Sequence, residues 1–445
     1  ILDTTTAVRV LATSRAPLAI GAERVYPLDS LKSTDGDGGT DAPGEYGPAV
    51  ALFLERARAA RPGVVLPLEV VARLCDRLDG LPLAIELAAA RTRSLSVDEI
   101  ERRLGNRFAL LTGGERTAPE RHRTLLAVIE WSWNLLRSSE QVLLRRLSRF
   151  PDGFSTEAAE AVAGPGAATV IDDLDALVAQ SLVTVTEDRT TGLLRYRMLE
   201  TVREFGDREL VAAAEEDEVA AGMDAWAVAF CRTALACMHG PEQLPTFQRV
   251  TAEQDNLVAV LRAALDGERH ETTAVVFAAL SYYWSLRSAH SEVISFGAAV
   301  LGALLRWDPP PAARDAVAAC FTVIGATFLF IDLRTSARAI SRLRRLRGGG
   351  PLSDPRLDGL ADLVLHAGRA EEGLALLERY ASSSDPERAA LGNLLRAQLY
   401  ENGAELDQAL AFGMRAWENA ERAGDTWSMA SAAQSLAQSH SQLAH

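Results

Sequence analysis

The sequence predicts a mostly α-helical chain with a short α/β stretch at its start and one β-hairpin in its middle. Three observations carry that reading. Apolar residues recur at three- and four-residue spacing from about residue 47 to the end, the period of a helix face. Residues 7–12, "AVRVLA", form a short, apolar, β-branched run suited to a buried strand. Two alternating runs, 182–186 and 193–199, flank a polar turn that ends in Gly192, the pattern of a hairpin.

After the strand comes "TSR", with Ser14 and Arg15, and then "APLAIGAERVYPLDSL". Residues 33–47, "STDGDGGTDAPGEYG", are turn formers and acids and predict a mobile loop. Helical patterns follow at about 47–60, 67–79, 82–92 and 96–104. In "DGLPLAIELAAAR" (79–91), Gly80 suits the end of one helix and Pro82 the first turn of the next. The helix beyond Pro82 is apolar nearly all round and belongs inside a domain.

The next unit opens at "TLLAVIEWSWNLL" (124–136). In "SSEQVLLRRLSRF", Ser138 and Gln141 fit a capping box. Helices are expected near 155–163 and 168–180, then the hairpin, then a helix at about 200–213. Helices, hairpin and closing helix describe a winged helix-turn-helix. Its candidate recognition helix, "TVIDDLDALVAQ" (169–180), carries Asp172, Asp173 and Asp175 and no Lys or Arg, so phosphates would repel it. Arg189, Arg195 and Arg197 of the hairpin are diluted by Glu187 and Asp188.

From about 218 onward no strand pattern occurs. "AGRAEEGLALLERY" (367–380) resembles "NGAELDQALAFGMRAW" (402–417), with Leu374 and Leu410 36 residues apart and Gly368 and Gly403 35 apart. That period suits tetratricopeptide-type helical hairpins; an irregular bundle is the alternative. In "LRTSARAISRLRRLR" (333–347), Arg334, Arg338, Arg342 and Arg345 share one helix face, with Leu333, Ile340, Leu343 and Leu346 largely on another. That basic face is either solvated surface or a seat for an acidic partner segment.

Composition narrows the function classes. The chain has 445 residues, 48% of them hydrophobic and 24% charged, which reads as globular, and its net charge of −14 opposes general nucleic-acid binding. Cys75, Cys231, Cys237 and Cys320 form no C-x-x-C pair, which argues against structural zinc and for a reducing, cytoplasmic compartment. The uncharged run 316–331 falls short of the ~20 residues of a membrane span and reads as a buried helix. No secretory leader pattern, metal-ligand spacing or hydrolytic Ser/His/Asp set stands out, so no catalytic residue and no metal ligand is assigned. Arg121, His122 and Arg123 read as a solvated linker, the alternative being contacts to phosphate or acidic partners. The chain begins with Ile and ends in a helical pattern, and is read as a fragment cut at both ends.

"RVLATSRAPLAI", "GLPLAIELAAAR", "RHRTLLAVIEWSWNLL" and "YRMLETVREFG", in this order and spacing, resemble the NB-ARC type of STAND nucleotide switch. The nearest resemblance is to SARP-type large bacterial transcriptional activators, with LuxR-type large regulators next. The resemblance implies a C-terminal remnant of a nucleotide-binding domain with its loop (1–46), a helical ARC domain (47–120), a winged helix (121–215) and a helical, tetratricopeptide-like region (216–445). The family's P-loop is absent: G-x-x-x-x-G-K-[ST] occurs nowhere in the chain.

The resemblance also implies nucleotide-binding residues. Gly80, Leu81 and Pro82 would lie against the adenine. Arg15 would sense the terminal phosphate with help from Ser14. Leu199 holds the position where many relatives carry a histidine on the ADP phosphate; leucine cannot donate a hydrogen bond, and a core role for Leu199 and Val202 is the alternative. The implied cofactor is ADP or ATP with Mg in the full-length protein, with slow ATPase switch activity there and none expected from this fragment. The implied partners are a protein or ligand at the helical repeats, DNA only through a domain outside this chain, no membrane, and optionally a homo-oligomer on activation. Two rival readings stay open: a repeat scaffold without nucleotide function, and direct DNA binding through the winged helix.

Overall fold

The computed structural model describes residues 26, 28–34, 46–103, 125–164, 169–187 and 192–443. They are mostly helical, with one two-stranded antiparallel sheet. The strand expected at 7–12, Ser14, Arg15, Arg121, His122, Arg123 and Arg189 lie outside the described residues. The chain divides into two compact units, 1–222 and 223–445.

The first unit opens with α1 (Pro48–Ala60), α2 (Leu68–Arg77), α3 (Pro82–Ala90) and α4 (Val97–Arg103). Phe53, Leu74, Ile85 and Ile100 are fully buried in one core between them. Burying each such side chain is worth roughly 1.5–3 kcal/mol, so apolar spacing alone brings these helices together. α3 begins at Pro82, whose missing N–H costs nothing in a first turn, and buries Ala84, Ile85, Leu87, Ala88 and Ala89.

The second half of this unit is α5 (Leu125–Trp133), α6 (Ser138–Leu147), α7 (Thr156–Ala163), α8 (Val170–Ala179), β1 (Val183–Glu187), β2 (Leu194–Met198) and α9 (Glu200–Ala212). The hairpin register sets Val183 opposite Met198, Val185 opposite Tyr196 and Glu187 opposite Leu194. Phe154 exchanges two backbone hydrogen bonds with Tyr196, at 2.8 and 2.9 Å, and stacks on its ring. The sheet is thereby stitched to the turn before α7. The expected Ser138/Gln141 capping box is not formed. Instead Glu140 accepts the Arg137 backbone N–H at 2.7 Å, while the Gln141 amide donates to the Trp133 carbonyl at 2.9 Å. The helix itself includes Ser138, so the motif's cap position falls one residue too far along. α9 packs on α6 and, through an edge-on Phe205–Trp133 contact, on α5.

α10 (Glu216–Cys237) spans the division between the units. By length and composition it is the one helix among the described residues apolar enough to cross a membrane, and a third of that stretch is buried inside the protein.

The second unit continues with α11 (Gln243–Asp266), α12 (His270–Leu286), α13 (His290–Leu304), α14 (Arg314–Phe328), α15 (Leu333–Arg347), α16 (Pro355–Leu365), α17 (Ala370–Ala381), α18 (Pro386–Asn402), α19 (Leu406–Ala423) and α20 (Thr426–Leu443). Its described residues contain no strand. Most helices pack on the next in sequence, the arrangement of a helical array. α17 and α19 begin 36 residues apart, matching the period read from sequence. Close approach needs glycine at Gly392, where a Cβ would strike the backbone of Tyr380 and Ala381.

A buried polar junction ties distant parts of this unit together. Asp425, with no solvent exposure, accepts from Arg356, from the Gln243 amide at 3.1 Å and from the Ser428 hydroxyl at 2.6 Å. Arg356 also reaches the His239 ring and the Tyr282 hydroxyl.

Two sequence expectations are corrected here. The uncharged run 316–331 is buried only as far as Phe328; Phe330 and Ile331 are exposed, because the chain turns there into α15. Nor does the four-arginine face of α15 hold together. Arg342 is largely buried, donating to the Trp307 carbonyl at 2.6 Å, and Leu333 is exposed.

Candidate functional site

The turn between α2 and α3 is built from two successive left-handed residues, Asp79 at φ 57° and Gly80 at φ 62°. Such a pair ends α2 abruptly: the Gly80 N–H returns to the Cys75 carbonyl at 3.0 Å. The Gly80 carbonyl accepts the Leu31 N–H at 3.0 Å, and a Cβ on Gly80 would collide with the Leu31 carbonyl oxygen. Only glycine permits that approach at that dihedral. Ser33 adds a hydrogen bond to Asp76 at 2.5 Å. Pro82 is exposed, Leu81 is half-buried, and the apolar helix α3 lies behind both.

Leu199 is the N-cap residue of α9, with extended dihedrals and no side-chain oxygen to satisfy the helix's first N–H groups. Asp79 does so from across the unit. Its two carboxylate oxygens accept from the Glu200 N–H at 3.0 Å and the Thr201 N–H at 3.1 Å. Since Asp79 immediately precedes Gly80, the turn 80–82 and Leu199 are neighbours in space. Glu200 in turn pairs with Arg203, and hydrogen bonding to Glu200 raises the Arg203 pKa. Of the six sequence-assigned residues, Gly80, Leu81, Pro82 and Leu199 are thus gathered at one place; Ser14 and Arg15 lie outside the described residues. Sequence reasoning passed over Asp79 and Thr201. Asp79 stood in the quoted motif, but its partners lie more than a hundred positions away.

A nucleotide needs a flat apolar wall for its base and donors for its phosphates. Leu81, Pro82 and Leu199 fit the first requirement. The second is not met: the helix-start N–H groups that suit a phosphate already hold the Asp79 carboxylate, which would repel one. The Thr201 hydroxyl is buried without a hydrogen-bond partner among the described residues. Leu81, Pro82 and Leu199 thus have the apolar chemistry a base would ask for, and the helix-start donors a phosphate would ask for are taken by Asp79. Among the described residues no group of three or more His, Cys, Asp or Glu is placed to hold a metal ion.

The winged helix presents a second surface. α8 exposes Ile171, Asp172 and Asp175, while Asp173 is buried and accepts from Ser139 and Thr169. Arg195 is drawn inward onto the Gly153 carbonyl at 3.3 Å and the Asp152 carbonyl, and Arg197 lies 3.6 Å from the Asp152 carboxylate. On the hairpin Val185 and Leu194 are exposed.

Residues 136–211 match the family described as a winged helix-turn-helix domain. A protein of Mycobacterium tuberculosis carrying the provisional name of an HTH-type transcriptional regulator is 37% identical over 302 residues, covering 66% of this chain and 32% of its own. An uncharacterized protein of the same organism is 34% identical over 220 residues, covering 48% of this chain and 52% of its own. The chain thus spans about a third to a half of the length of these relatives. Among solved structures, a STAND protein with a tetratricopeptide repeat sensor from Pyrococcus horikoshii aligns over 89% of this chain and 56% of its own, at 15% identity and a TM-score of 0.38, too loose a likeness to carry an argument. The chain contains a winged helix-turn-helix domain followed by a helical array.

Proposed function

We propose that this chain is part of an ADP/ATP-dependent, STAND-type bacterial transcriptional regulator of the NB-ARC kind, close to the SARP-type activators. The first unit supplies the adenine wall and the winged helix of the switch. The second is a tetratricopeptide-like region that binds a protein or ligand. What supports the reading is the junction at Asp79, which ties the turn at Gly80–Pro82 directly to the start of α9. A change in what rests on Pro82 would then be felt by the winged helix without an intervening flexible link. The phosphate cradle, the Mg site and the transcription-regulating module belong to parts of the protein outside this chain. In this reading Arg15 and Ser14 face the terminal phosphate, the protein works in the cytoplasm, and DNA is contacted by another domain.

Titration calorimetry tests this reading. A protein extended upstream through its P-loop should bind ADP, and Pro82→Ala should weaken that binding several-fold. This chain alone should bind weakly, because the phosphate contacts that dominate nucleotide affinity are missing. Submicromolar binding by this chain, or no effect of Pro82→Ala in the extended protein, would overturn the assignment. Direct DNA binding by the winged helix is the second reading, favoured by the domain match at 136–211.

A further inference from the structure

Residues 329–332 form the turn between α14 and α15, and Leu333 opens α15. Phe330 is 92% exposed, Leu333 69% and Ile331 57%, so three large apolar side chains stand in water within four positions. Beside them runs the outer face of α15. Arg334, Arg338 and Arg345, at spacings of four and seven residues, line one exposed stripe with Ser341 between, and Arg344 lies alongside. None of these four arginines forms an ion pair with a described residue. The nearby carboxylates are engaged elsewhere: Asp358 and Asp362 with Arg347, Asp308 with Arg342, and Asp332 as the N-cap of α15. In a chain of net charge −14 this is a local reversal of sign placed against an apolar tip.

We infer that the apolar tip at 330–333 and the arginine stripe of α15 form a docking surface for an acidic polypeptide segment that carries large apolar side chains. The inference deepens, and rests on, the reading of the helical unit as a partner-binding region. An aromatic tip at the head of a row of arginines has the composition of a protein-recognition hot spot, since guanidinium forks bind carboxylates two-pronged. Phosphate backbones would use the arginines and leave Phe330, Ile331 and Leu333 idle. A lipid surface would need the apolar side of α15, but Ala339, Leu343 and Leu346 already pack inside the unit.

The test uses the whole chain without nucleotide, so that its failure is separable from failure of the nucleotide reading. The probe is a short fluorescein-labelled peptide of Glu, Asp, Leu and Phe, followed by anisotropy. Salt-sensitive binding is expected in the micromolar range, on the order of 1–100 µM for so small a surface. The pair Arg338→Glu and Arg345→Glu should weaken it at least about tenfold, Phe330→Ser several-fold, and Arg338→Lys less than the charge reversals, because it keeps the charge and loses the fork. Arg58→Glu, on exposed surface of the first unit, makes the same kind of charge change and should leave binding intact. All substituted positions are exposed, and unchanged thermal melting checks that each variant folds. Equal loss from Arg58→Glu, no binding in the micromolar range, or tighter arginine-dependent binding to duplex DNA or phosphatidylserine vesicles would overturn the inference.

Discussion

The carboxylate of Asp79 accepts the backbone N–H of Thr201 at 3.1 Å, across 122 positions of sequence. With its second oxygen on the Glu200 N–H, it caps a helix whose own N-cap, Leu199, has no group to do so. A negative charge at a helix start is favoured both by hydrogen bonding and by the helix dipole. The turn and the closing helix of the winged helix are therefore joined by an electrostatic cap as well as by the apolar core that Phe205 shares with Leu78 and Ile85.

Removing that cap should be felt as lower stability. Asp79→Ala leaves two N–H groups of α9 unsatisfied and should cost about 1–2 kcal/mol. Asp79→Asn keeps one acceptor and should cost less. Urea unfolding of the two variants beside the parent gives the answer. A midpoint unchanged in Asp79→Ala would mean that solvent caps α9 equally well.

Gly80→Ala should be worse than its size suggests. The left-handed dihedral penalises any side chain by about 1 kcal/mol, and the Cβ would also meet the Leu31 carbonyl. The hydrogen bond from Leu31 to Gly80 would open, freeing the 28–34 segment from the turn. Faster amide exchange at Leu31, with a lowered melting temperature, is the expected signature; slow exchange at Leu31 would refute the coupling.

Local signals were legible in the sequence, and non-local ones were not. Pro82 with the apolar run behind it marked α3 to the residue at its start, and alternation around Gly192 marked the hairpin, because both depend on neighbours within a few positions. Asp79 as the cap of α9 depends on tertiary packing that no local pattern encodes. The capping box at Ser138 failed for a related reason: Glu140 and Gln141 both offer a polar side chain at the right distance, and the true helix start decided between them. Periodicity put Arg342 on the arginine face and Leu333 on the apolar one. Neighbouring helices, which periodicity does not see, buried the first and left the second in water. For the candidate site, the turn and Leu199 could be named from motifs, while the hydrogen bonds that join them could not.

Stability of the first unit should depend on acid through Glu215. It accepts hydrogen bonds from Arg145 and from the buried Arg146 at 2.9 Å, and the Arg145 hydrogen bond holds its pKa below the usual carboxylate value. A depressed folded-state pKa gives stability that is present above the unfolded value, about 4.3, and is lost as pH falls through the folded one. Glu215→Gln should therefore melt below the parent at pH 7, and the gap should close as the pH drops beneath the ordinary carboxylate range. A gap that stays constant down to strong acid would assign the difference to packing instead of charge.

The winged helix should not bind duplex DNA. A recognition helix reads the major groove with its exposed face while its flanks meet phosphates. Here that face offers Ile171, Asp172 and Asp175, and α8 has no cation to offset the acids. On the hairpin, Arg195 is held by backbone carbonyls of Asp152 and Gly153, and Arg197 leans toward the Asp152 carboxylate. Reaching phosphates would break the hydrogen bonds of Arg195, whereas Arg197, its side chain 71% exposed, would give up only a loose ion pair. The exposed Val185 and Leu194 suit a protein surface better than a charged groove. Anisotropy of the whole chain with random duplexes at low salt should show no saturation at micromolar protein. Binding that saturates there and falls steeply with added salt would reverse the conclusion and make direct DNA recognition the leading function. Arg197→Ala would then be the variant to examine, since taking one phosphate-binding cation from the wing should lower the salt slope by about one.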